Sequence, residues 1–293
     1  MFTLACIGLD TSHAIKFTEL LHGPHKTVDG FRILSCMRFP SAFHSEPDQD
    51  KRAETMKQMG VQVTTSFSEA VKGADGILLE INDPSLHLKY FELAAETGLP
   101  VFLDKPLADT TENGKKIINL AHKKNTRLMS SSSLRFTPEI KKCCAAVPEP
   151  AVCDVFGPLG KAPTGSSIVW YGVHAFEMLS TIMGRGADKI YTKKDAHGAV
   201  SVVTFKDGRR GVVHLNSTAH QYGGRAQIKD TSNSFTVNFA DANELYSNLI
   251  TAIADFFIKG TQEVPLENTF EIQTLLNRAE ESIAAGKEVA VGL

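Results

Sequence analysis

Residues 4–23 read LACIGLDTSHAIKFTELLHG and combine an apolar run, a glycine turn and a helical pattern. The apolar run is typical of a buried β-strand, and Gly8 follows it as the turn residue. The helical pattern places four apolar side chains on one face before a Gly23-Pro24 stop: Ala14, Phe17, Leu20 and Leu21. A strand, a tight turn and a helix in this order open dinucleotide-binding folds, so we predict a fold of that kind.

The turn departs from the pattern of such folds, in which three glycines follow the spacing G-x-G-x-x-G. Gly8 holds the first position, whereas Asp10 and His13 hold the second and third. Two interpretations of Asp10 stay open: its carboxylate repels a phosphate, or it caps the helix by accepting from the amides of Ser12 or His13. Thr11, Ser12 and His13 offer donors that could compensate for the charge. Asp10 and His13 lack a third metal ligand, so no metal site is predicted.

The rest of the first half continues to alternate strand and helix signals. Four further apolar runs, FRILSCM, GILLEI, PVFL and RLM, begin at residues 31, 76, 100 and 127. Strands that alternate with amphipathic helices form a parallel, doubly wound sheet, so the fold class is α/β. We expect residues 1–134 to form a Rossmann dinucleotide-binding domain.

A different pattern follows, which predicts a second domain over residues 135–293. Residues 141–165 contain four prolines and are interpreted as a crossover between the domains. Two β-rich runs flank Asp207-Gly208, a hairpin signal, and adjacent strands of this kind form an open, mainly antiparallel sheet. Two helical patterns close the chain and could pack back on the first domain. The second domain is expected to be α+β.

Composition excludes several classes of protein. The 293 residues carry 31 basic and 33 acidic side chains, a balance that offers no basic surface for nucleic acid or an anionic membrane. No apolar run reaches membrane-spanning length. The five cysteines lack metal-ligand spacing and suit a reducing cytoplasm. The expected partner is a small molecule.

Asp104-Lys105-Pro106 follows the PVFL strand, at the edge of a parallel sheet where ligands bind. A partly desolvated lysine there can hydrogen-bond a substrate hydroxyl and favour its alkoxide. Taken alone, the tripeptide is better explained as a surface lysine after a strand. Arg38 ends the second strand, where it suits the 2′-phosphate of NADP or is an ordinary exposed arginine.

Three motifs in this order resemble the glucose–fructose oxidoreductase/inositol dehydrogenase (Gfo/Idh/MocA) family. The family's Glu-Lys-Pro corresponds to residues 104–106, and SSSLRFTPEI matches its next strand exit at Arg135, Phe136 and Pro138. The family's Asp-x-Gly-x-His motif corresponds to WYGVH, which ends at His174. The resemblance covers nearly the whole chain, which reads as a divergent member.

The resemblance implies roles for individual residues. Lys105 would contact the substrate hydroxyl and the nicotinamide, and His174 would take the hydroxyl proton during hydride transfer. The remaining residues are assigned in two groups. Cofactor binding is expected at Gly8, Asp10, Thr11, Ser12, His13, Arg38, Asn82, Pro84, His87, Asp104 and Lys105. Substrate binding is expected at Arg135, Trp170 and Tyr171. The cofactor is NADP or NAD, with Arg38 favouring NADP, and a homo-oligomer, a dimer or tetramer, is expected by resemblance.

Trp170 holds the position of the family's aspartate and cannot accept a proton or stabilise an imidazolium by charge. Its ring could stack on a sugar or on the nicotinamide, or pack in the core at a strand end. Either Lys105 and His174 act alone, another acid such as Glu177 substitutes, or catalysis is lost.

The sequence thus predicts an NAD(P)-dependent oxidoreductase acting on a secondary alcohol of a sugar, polyol or related small molecule. The alternative is a ligand-binding or regulatory protein of the same fold without hydride transfer. Redox-neutral chemistry on this fold also stays open.

Overall fold

The computed structural model describes the chain except residues 25, 219, 238–241 and 293, and except the side chains of residues 242 and 243. The chain divides into two compact units. The first unit contains Met1–Ser131 and Tyr246–Leu266, and the second contains Ser132–Leu245 and Glu267–Leu293. Each unit is described by itself.

A six-stranded parallel sheet forms the centre of the first unit. Its strands are β1 (Phe2–Ile7), β2 (Phe31–Met37), β3 (Gln62–Thr64), β4 (Gly76–Leu79), β5 (Val101–Leu103) and β6 (Leu128–Met129). The strand order is β3-β2-β1-β4-β5-β6. The first three strands of the chain lie on one side of the sheet and the next three on the other, so the topological switch point lies between β1 and β4. Ligands of doubly wound folds bind next to this point. β4 and β5 are buried along their whole length, as expected for strands covered on both faces.

Helices connect these strands. They are α1 (Ser12–His22), α2 (Glu46–Gln58), α3 (Phe67–Ala70), α4 (His87–Ala95) and α5 (Thr111–Lys124). Each connects parallel strands, so the predicted doubly wound sheet is confirmed. The short strand β3 was not predicted, because its three residues carry no apolar periodicity.

The second unit is built on a seven-stranded sheet. Its strands are β7 (Val152–Pro158), β8 (Ala187–Asp195), β9 (Gly198–Phe205), β10 (Arg210–Asn216), β11 (Tyr222–Ile228), β12 (Thr231–Val237) and β13 (Val289–Ala290). The order is β12-β11-β7-β10-β9-β8-β13, and β7 with β10 is the one parallel pair among the described strands of this second sheet. The predicted open, mainly antiparallel sheet and its β9–β10 hairpin are confirmed.

Four helices complete the chain: α6 (Pro138–Ala146), α7 (Val173–Met183), α8 (Ala242–Lys259) and α9 (Leu266–Ala285). α7 packs closely on β10, since a Cβ at Gly211 would lie 2.7 Å from a methyl carbon of Leu179. Residues 246–259 of α8 belong to the first unit, and residues 267–285 of α9 to the second. All five cysteines are free thiols. No helix among the described residues is both long and apolar enough to cross a bilayer.

Two expectations for the second unit require correction. The proline-rich stretch read as a crossover contains β7, whose side chains alternate between buried and exposed. Trp170, expected at a strand end, lies instead in a π-helical turn (Ile168–Gly172) that leads into α7.

Candidate active site

Gly8 is required by the turn between β1 and α1. Its φ of +114° lies in the region that favours glycine, and a Cβ there would lie 2.1 Å from the carbonyl oxygen of Glu80. The turn therefore brings the β1 exit directly against the β4 exit. At the second and third glycine positions of the motif, side chains are accommodated.

The Asp10 carboxylate is fully buried and bonds to the loops that follow β2 and β4. It accepts hydrogen bonds from the Ser41 hydroxyl at 2.6 Å and from the Asn82 amide at 3.0 Å. The N-cap of α1 is Thr11, whose hydroxyl accepts from the His13 amide at 3.2 Å. The interpretation of Asp10 as the helix cap is therefore wrong. Burial raises the pKa of Asp10, although these two hydrogen bonds oppose the shift.

His13 points from the first turn of α1 toward the end of β5. Its Nδ1 lies 2.9 Å from Oδ2 of Asp104 and 3.7 Å from Oε2 of Glu80. The ring stacks on Phe17 at 5.1 Å between centroids and meets the edge of Tyr246 at the same distance. The imidazole is thus held between aromatic rings and carboxylates, rather than presented at the open end of the helix.

Asp104 and Lys105 follow β5 and are both buried, with Lys105 only 8% exposed. The Lys105 ammonium lies 3.4 Å from Oδ2 of Asp104. Burial opposes ionisation of Asp104, but the neighbouring charges of His13 and Lys105 outweigh it and hold the pKa of Asp104 well below its usual range. Asp104 is therefore a carboxylate that fixes two cationic or protonatable groups at this edge of the sheet.

Glu80 completes this group and was not predicted from the sequence. It directly follows β4 and is fully buried, and burial together with the charge of Asp104 raises its pKa well above the usual value. A single acid inside the apolar run GILLEI was the signal that could have revealed it.

The other residues expected near the nicotinamide follow β4 as well. Pro84 begins a 3₁₀ turn capped by Asp83, and the Asn82 side chain donates to the Asp10 carbonyl at 3.2 Å. His87 is fully buried, and its ring nitrogens contact the carbonyl oxygens of Ile81 at 2.8 Å and Leu107 at 3.4 Å. The His87 ring is therefore engaged by the backbone of its own unit.

Arg38 lies just beyond β2, as expected, but acids surround its guanidinium. It forms ion pairs with Glu46 and Asp50, each at 2.5 Å. Ser12, by contrast, is exposed at the start of α1. The group expected to face a 2′-phosphate is thus already paired with two carboxylates of α2.

The second unit contains His174 in the first turn of α7. Its Nδ1 lies 2.7 Å from the Ser132 hydroxyl, a hydrogen bond whose donor depends on the ring tautomer. The ring also meets Tyr171 and Tyr222 edge to face, at centroid distances of 5.4 and 5.8 Å. Ser132 was not singled out from the sequence, because its contact with His174 spans 42 residues.

Arg135 and Glu177 form a buried ion pair next to Ser132, the residue that contacts this histidine. Glu177 accepts from Arg135 Nε at 2.8 Å and from the Ser132 amide at 3.2 Å. Glu177 was considered as a substitute for the family's aspartate, and Arg135 was expected to bind substrate. In the structure these two side chains pair with each other. The pair holds the backbone of Ser132, which in turn contacts His174.

Trp170 and Tyr171 lie side by side in the π-helical turn, with their ring centroids 5.2 Å apart. Both are half-buried. A Cβ at Gly160 would lie 3.0 to 3.2 Å from atoms of these two rings, so that glycine allows the loop to pass over them. Trp170 of this pair holds the position at which the family motif carries its aspartate.

The strand order, the glycine turn and the polar residues at the carboxyl ends of the strands define the first unit as a Rossmann-type nucleotide-binding fold. Residues 41–132 match the family model described as "Oxidoreductase family, NAD-binding Rossmann fold". This match confirms, over residues 41–132, the resemblance to the Gfo/Idh/MocA oxidoreductases that the sequence predicts.

The chain is similar to several dehydrogenases and oxidoreductases. An uncharacterised oxidoreductase of Bacillus subtilis, YrbE, is 22% identical over 228 residues, which span 67% of this chain and 64% of the relative. A probable dehydrogenase from Thermotoga maritima superposes with a TM-score of 0.82 at 17% identity over 99% of both chains. The scyllo-inositol dehydrogenase of Lactobacillus casei, solved with NAD(H) and scyllo-inositol, gives 0.82 at 12% identity over 100% of both chains.

Proposed function

We propose that the protein is an NAD(P)-dependent oxidoreductase that transfers a hydride between nicotinamide and a secondary alcohol of a sugar or polyol. The observation that carries this proposal is the buried Lys105, held 3.4 Å from Asp104 at the carboxyl end of β5. A desolvated ammonium at this edge lowers the cost of forming an alkoxide beside it. Further support comes from the oxidoreductase family match over residues 41–132.

The orientation of Asp10 supports binding of the cofactor. Its carboxylate is directed to Ser41 and Asn82, and it does not occupy the amides at the start of α1. Thr11 and the exposed Ser12, which begin that helix, would hold the pyrophosphate next to Gly8, because a helix N-terminus favours anions. The residues after β4, Asn82 and Pro84, would lie on the nicotinamide side. A bound nicotinamide would supply the hydride acceptor or donor.

Two side chains would act on the substrate. Lys105 would donate a hydrogen bond to the reacting hydroxyl, and His174 would hold its proton, since imidazole titrates near neutral pH. Ser132 would orient His174 through its 2.7 Å contact with Nδ1. In this proposal the neutral hydroxyl of Ser132 supports His174 in place of the family's aspartate. The Trp170–Tyr171 pair would offer a flat apolar surface to a sugar ring.

The contacts of Arg38 favour NAD over NADP. The sequence alone favoured NADP because arginine suits a 2′-phosphate, but here the guanidinium already pairs with Glu46 and Asp50. A 2′-phosphate would have to displace two carboxylates and would meet their negative charge. The ribose hydroxyls of NAD carry no charge and avoid this cost.

Homo-oligomerisation through the outer face of the second sheet is part of the proposal. Strand register places Phe156 and Val200 on either side of His214, and Tyr191 lies on the same face. All three apolar side chains are more than a third exposed. Light scattering coupled to size exclusion would test this, with a monomeric mass contradicting it.

A second candidate function, a non-catalytic ligand-binding protein, is favoured by one observation. Nδ1 of His174 contacts the neutral hydroxyl of Ser132, and Trp170 holds the position of the aspartate in the family motif. A ligand-binding protein would bind dinucleotide and polyol without turnover.

The test is a turnover assay that follows nicotinamide absorbance. NAD⁺ and NADP⁺ would each be combined with a panel of polyols and sugars that includes scyllo-inositol and myo-inositol. Reduction by wild type but not by Lys105→Met is expected. Saturable binding of dinucleotide and polyol without any turnover would favour the second candidate.

A further inference from the structure

Three ligating side chains of the first unit converge at the carboxyl edge of its sheet. His13 begins α1, Glu80 follows β4 and Asp104 follows β5, and one ligand atom from each lies within 4.8 Å of the other two. All three come from separate elements of a single compact unit, so their arrangement is fixed by the sheet and by helix α1.

Three oxygen atoms of this cluster lack hydrogen-bond partners among the described residues: both carboxylate oxygens of Glu80 and Oδ1 of Asp104. Glu80 has no exposed surface, so water outside the protein does not compensate for the missing bonds. Nδ1 of His13 lies 2.9 Å from Oδ2 of Asp104, the other oxygen of that carboxylate. Buried polar groups without partners are rare, because each loses its hydrogen bonds to water without replacing them.

We propose that His13, Glu80 and Asp104 bind a divalent transition-metal ion of the Zn²⁺ or Mn²⁺ class. The imidazole nitrogen suits Zn²⁺, and the two carboxylate oxygens suit both Zn²⁺ and Mn²⁺, whereas Mg²⁺ and Ca²⁺ favour oxygen alone. The distances from His13 Nδ1 to Asp104 and Glu80, 2.9 and 3.7 Å, bracket the spacing of about 3.3 Å between neighbouring ligands of a four-coordinate ion. Remaining coordination positions belong to water or to an oxygen of a bound ligand.

The charges of the cluster support an ion. Two carboxylates are buried here, and the cation within ion-pair distance of them besides His13 is Lys105, 3.4 Å from Asp104. Among the described residues, the ion-pair contact of the fully buried Glu80 is with His13, whose Nδ1 lies 3.7 Å from Oε2. A dication would balance the charge of the two carboxylates and would use the oxygen atoms that otherwise lack partners.

The ion site and the proposed dehydrogenase function can fail separately. The three ligands are defined by the first unit alone, and no dinucleotide is needed to form the cluster. Dinucleotide binding is therefore measured on protein treated with chelator, and metal binding on protein without dinucleotide. Loss of one signal with retention of the other identifies which proposal is wrong.

The experiment uses the full chain after chelation and titrates it with Mn²⁺ by calorimetry and with Co²⁺ by visible absorption. Co²⁺ reports its ligands, since thiolates give an intense charge-transfer band that imidazole and carboxylate do not. Wild type is compared with Glu80→Gln, which keeps the size and removes the charge. The matched control is Glu112→Gln, an exposed glutamate on α5 paired with Lys116. Thermal melting of each variant verifies folding.

One equivalent of Mn²⁺ should bind wild type and the control, and Glu80→Gln should weaken binding about 100-fold or more. Saturating Mn²⁺ should raise the melting temperature of wild type and not that of Glu80→Gln. His13→Gln, which keeps a polar side chain of similar reach, should show the same loss. The proposal is overturned if wild type binds no Mn²⁺, if Glu80→Gln binds as tightly as the control, or if Co²⁺ gives a thiolate band.

Discussion

The carboxylate of Asp10 accepts a hydrogen bond from the backbone amide of Asn82 at 3.0 Å, although 72 residues separate them. The bond joins the exits of β1 and β4, the two strands between which the sheet changes its direction of growth. It explains how a Rossmann turn accommodates an acid at its second glycine position. The carboxylate is directed to the loops after β2 and β4 and not to the start of α1.

Asp10→Asn should therefore change the dependence of stability on pH. Burial raises the pKa of Asp10, so the folded protein keeps this proton to higher pH than the unfolded chain. The stability that this site contributes is complete below the unfolded pKa, about 3.9, and is lost as the pH rises through the folded pKa. Asparagine cannot ionise. Urea unfolding should show the stability of wild type relative to Asp10→Asn falling as the pH rises above the unfolded pKa of about 3.9.

Asp29→Asn is the control for that measurement, because the Asp29 side chain is 87% exposed. Its stability difference from wild type should change little over the same range. A difference between wild type and Asp10→Asn that stays flat or grows with pH would contradict the buried position of this carboxylate.

Cofactor preference should respond to the acids around Arg38 more than to Arg38 itself. The double variant Glu46→Gln/Asp50→Asn releases the guanidinium from two ion pairs and removes two negative charges. The ratio of NADPH to NADH affinity should rise about tenfold, equivalent to about 1.4 kcal/mol. Fluorescence titration with both cofactors measures it.

Arg38→Ala in the same background should abolish that gain, whereas Arg38→Ala alone should leave NADH affinity unchanged within a factor of about two. If the double variant keeps the wild-type ratio, the guanidinium does not face the 2′ position of the ribose.

Ser132→Ala should change the orientation and the tautomer of His174 without removing a contact with the substrate. The Ser132 hydroxyl lies 2.7 Å from Nδ1, so its removal frees the ring to rotate and changes the favoured tautomer. We expect kcat to fall about tenfold with little change in KM, and the NMR titration curve of His174 to shift. Ser132→Thr, which keeps the hydroxyl, should behave as wild type. An unchanged His174 titration in Ser132→Ala would show that the serine does not position the ring.

Lys105→Met should separate turnover from cofactor binding. Methionine keeps an unbranched side chain, one atom shorter than lysine, and removes the charge that lies 3.4 Å from Asp104. We expect turnover of an active polyol to fall about 1,000-fold, while NADH affinity stays within about threefold. Lys116→Met, on the exposed face of α5, is the control, with unchanged kinetics. Retention of turnover by Lys105→Met would remove Lys105 from the reaction.

Elements with strong local patterns were predictable, and elements defined by distant partners were not. The apolar runs of β1, β2, β4 and β5 indicated a parallel sheet because both faces of such strands are buried. β7 was missed because prolines flank it, and because its pairing with β10 and β11 depends on strands about 60 to 75 residues later. Its alternation of buried and exposed side chains was the remaining local signal.

The residues of the candidate site likewise divide into those in local motifs and those defined by distant contacts. Gly8, Lys105 and His174 stand in motifs with fixed spacing, so the sequence could nominate them. Glu80 and Ser132 act through contacts made only after folding: Glu80 with His13 and Asp104, and Ser132 with His174. Asp10 was identified, but its partners after β2 and β4 could not be read from a local pattern, and helix capping was the nearer explanation.

Titration of the chelator-treated protein with NADH tests whether the turn at Gly8–His13 forms a dinucleotide site. Fluorescence and calorimetry should give saturable binding of one NADH per chain, with a dissociation constant below about 1 mM, the upper range for cofactors and substrates of enzymes. Absence of binding of both NADH and NADPH at millimolar concentration, by a protein that melts cooperatively, would show that the turn does not hold a dinucleotide.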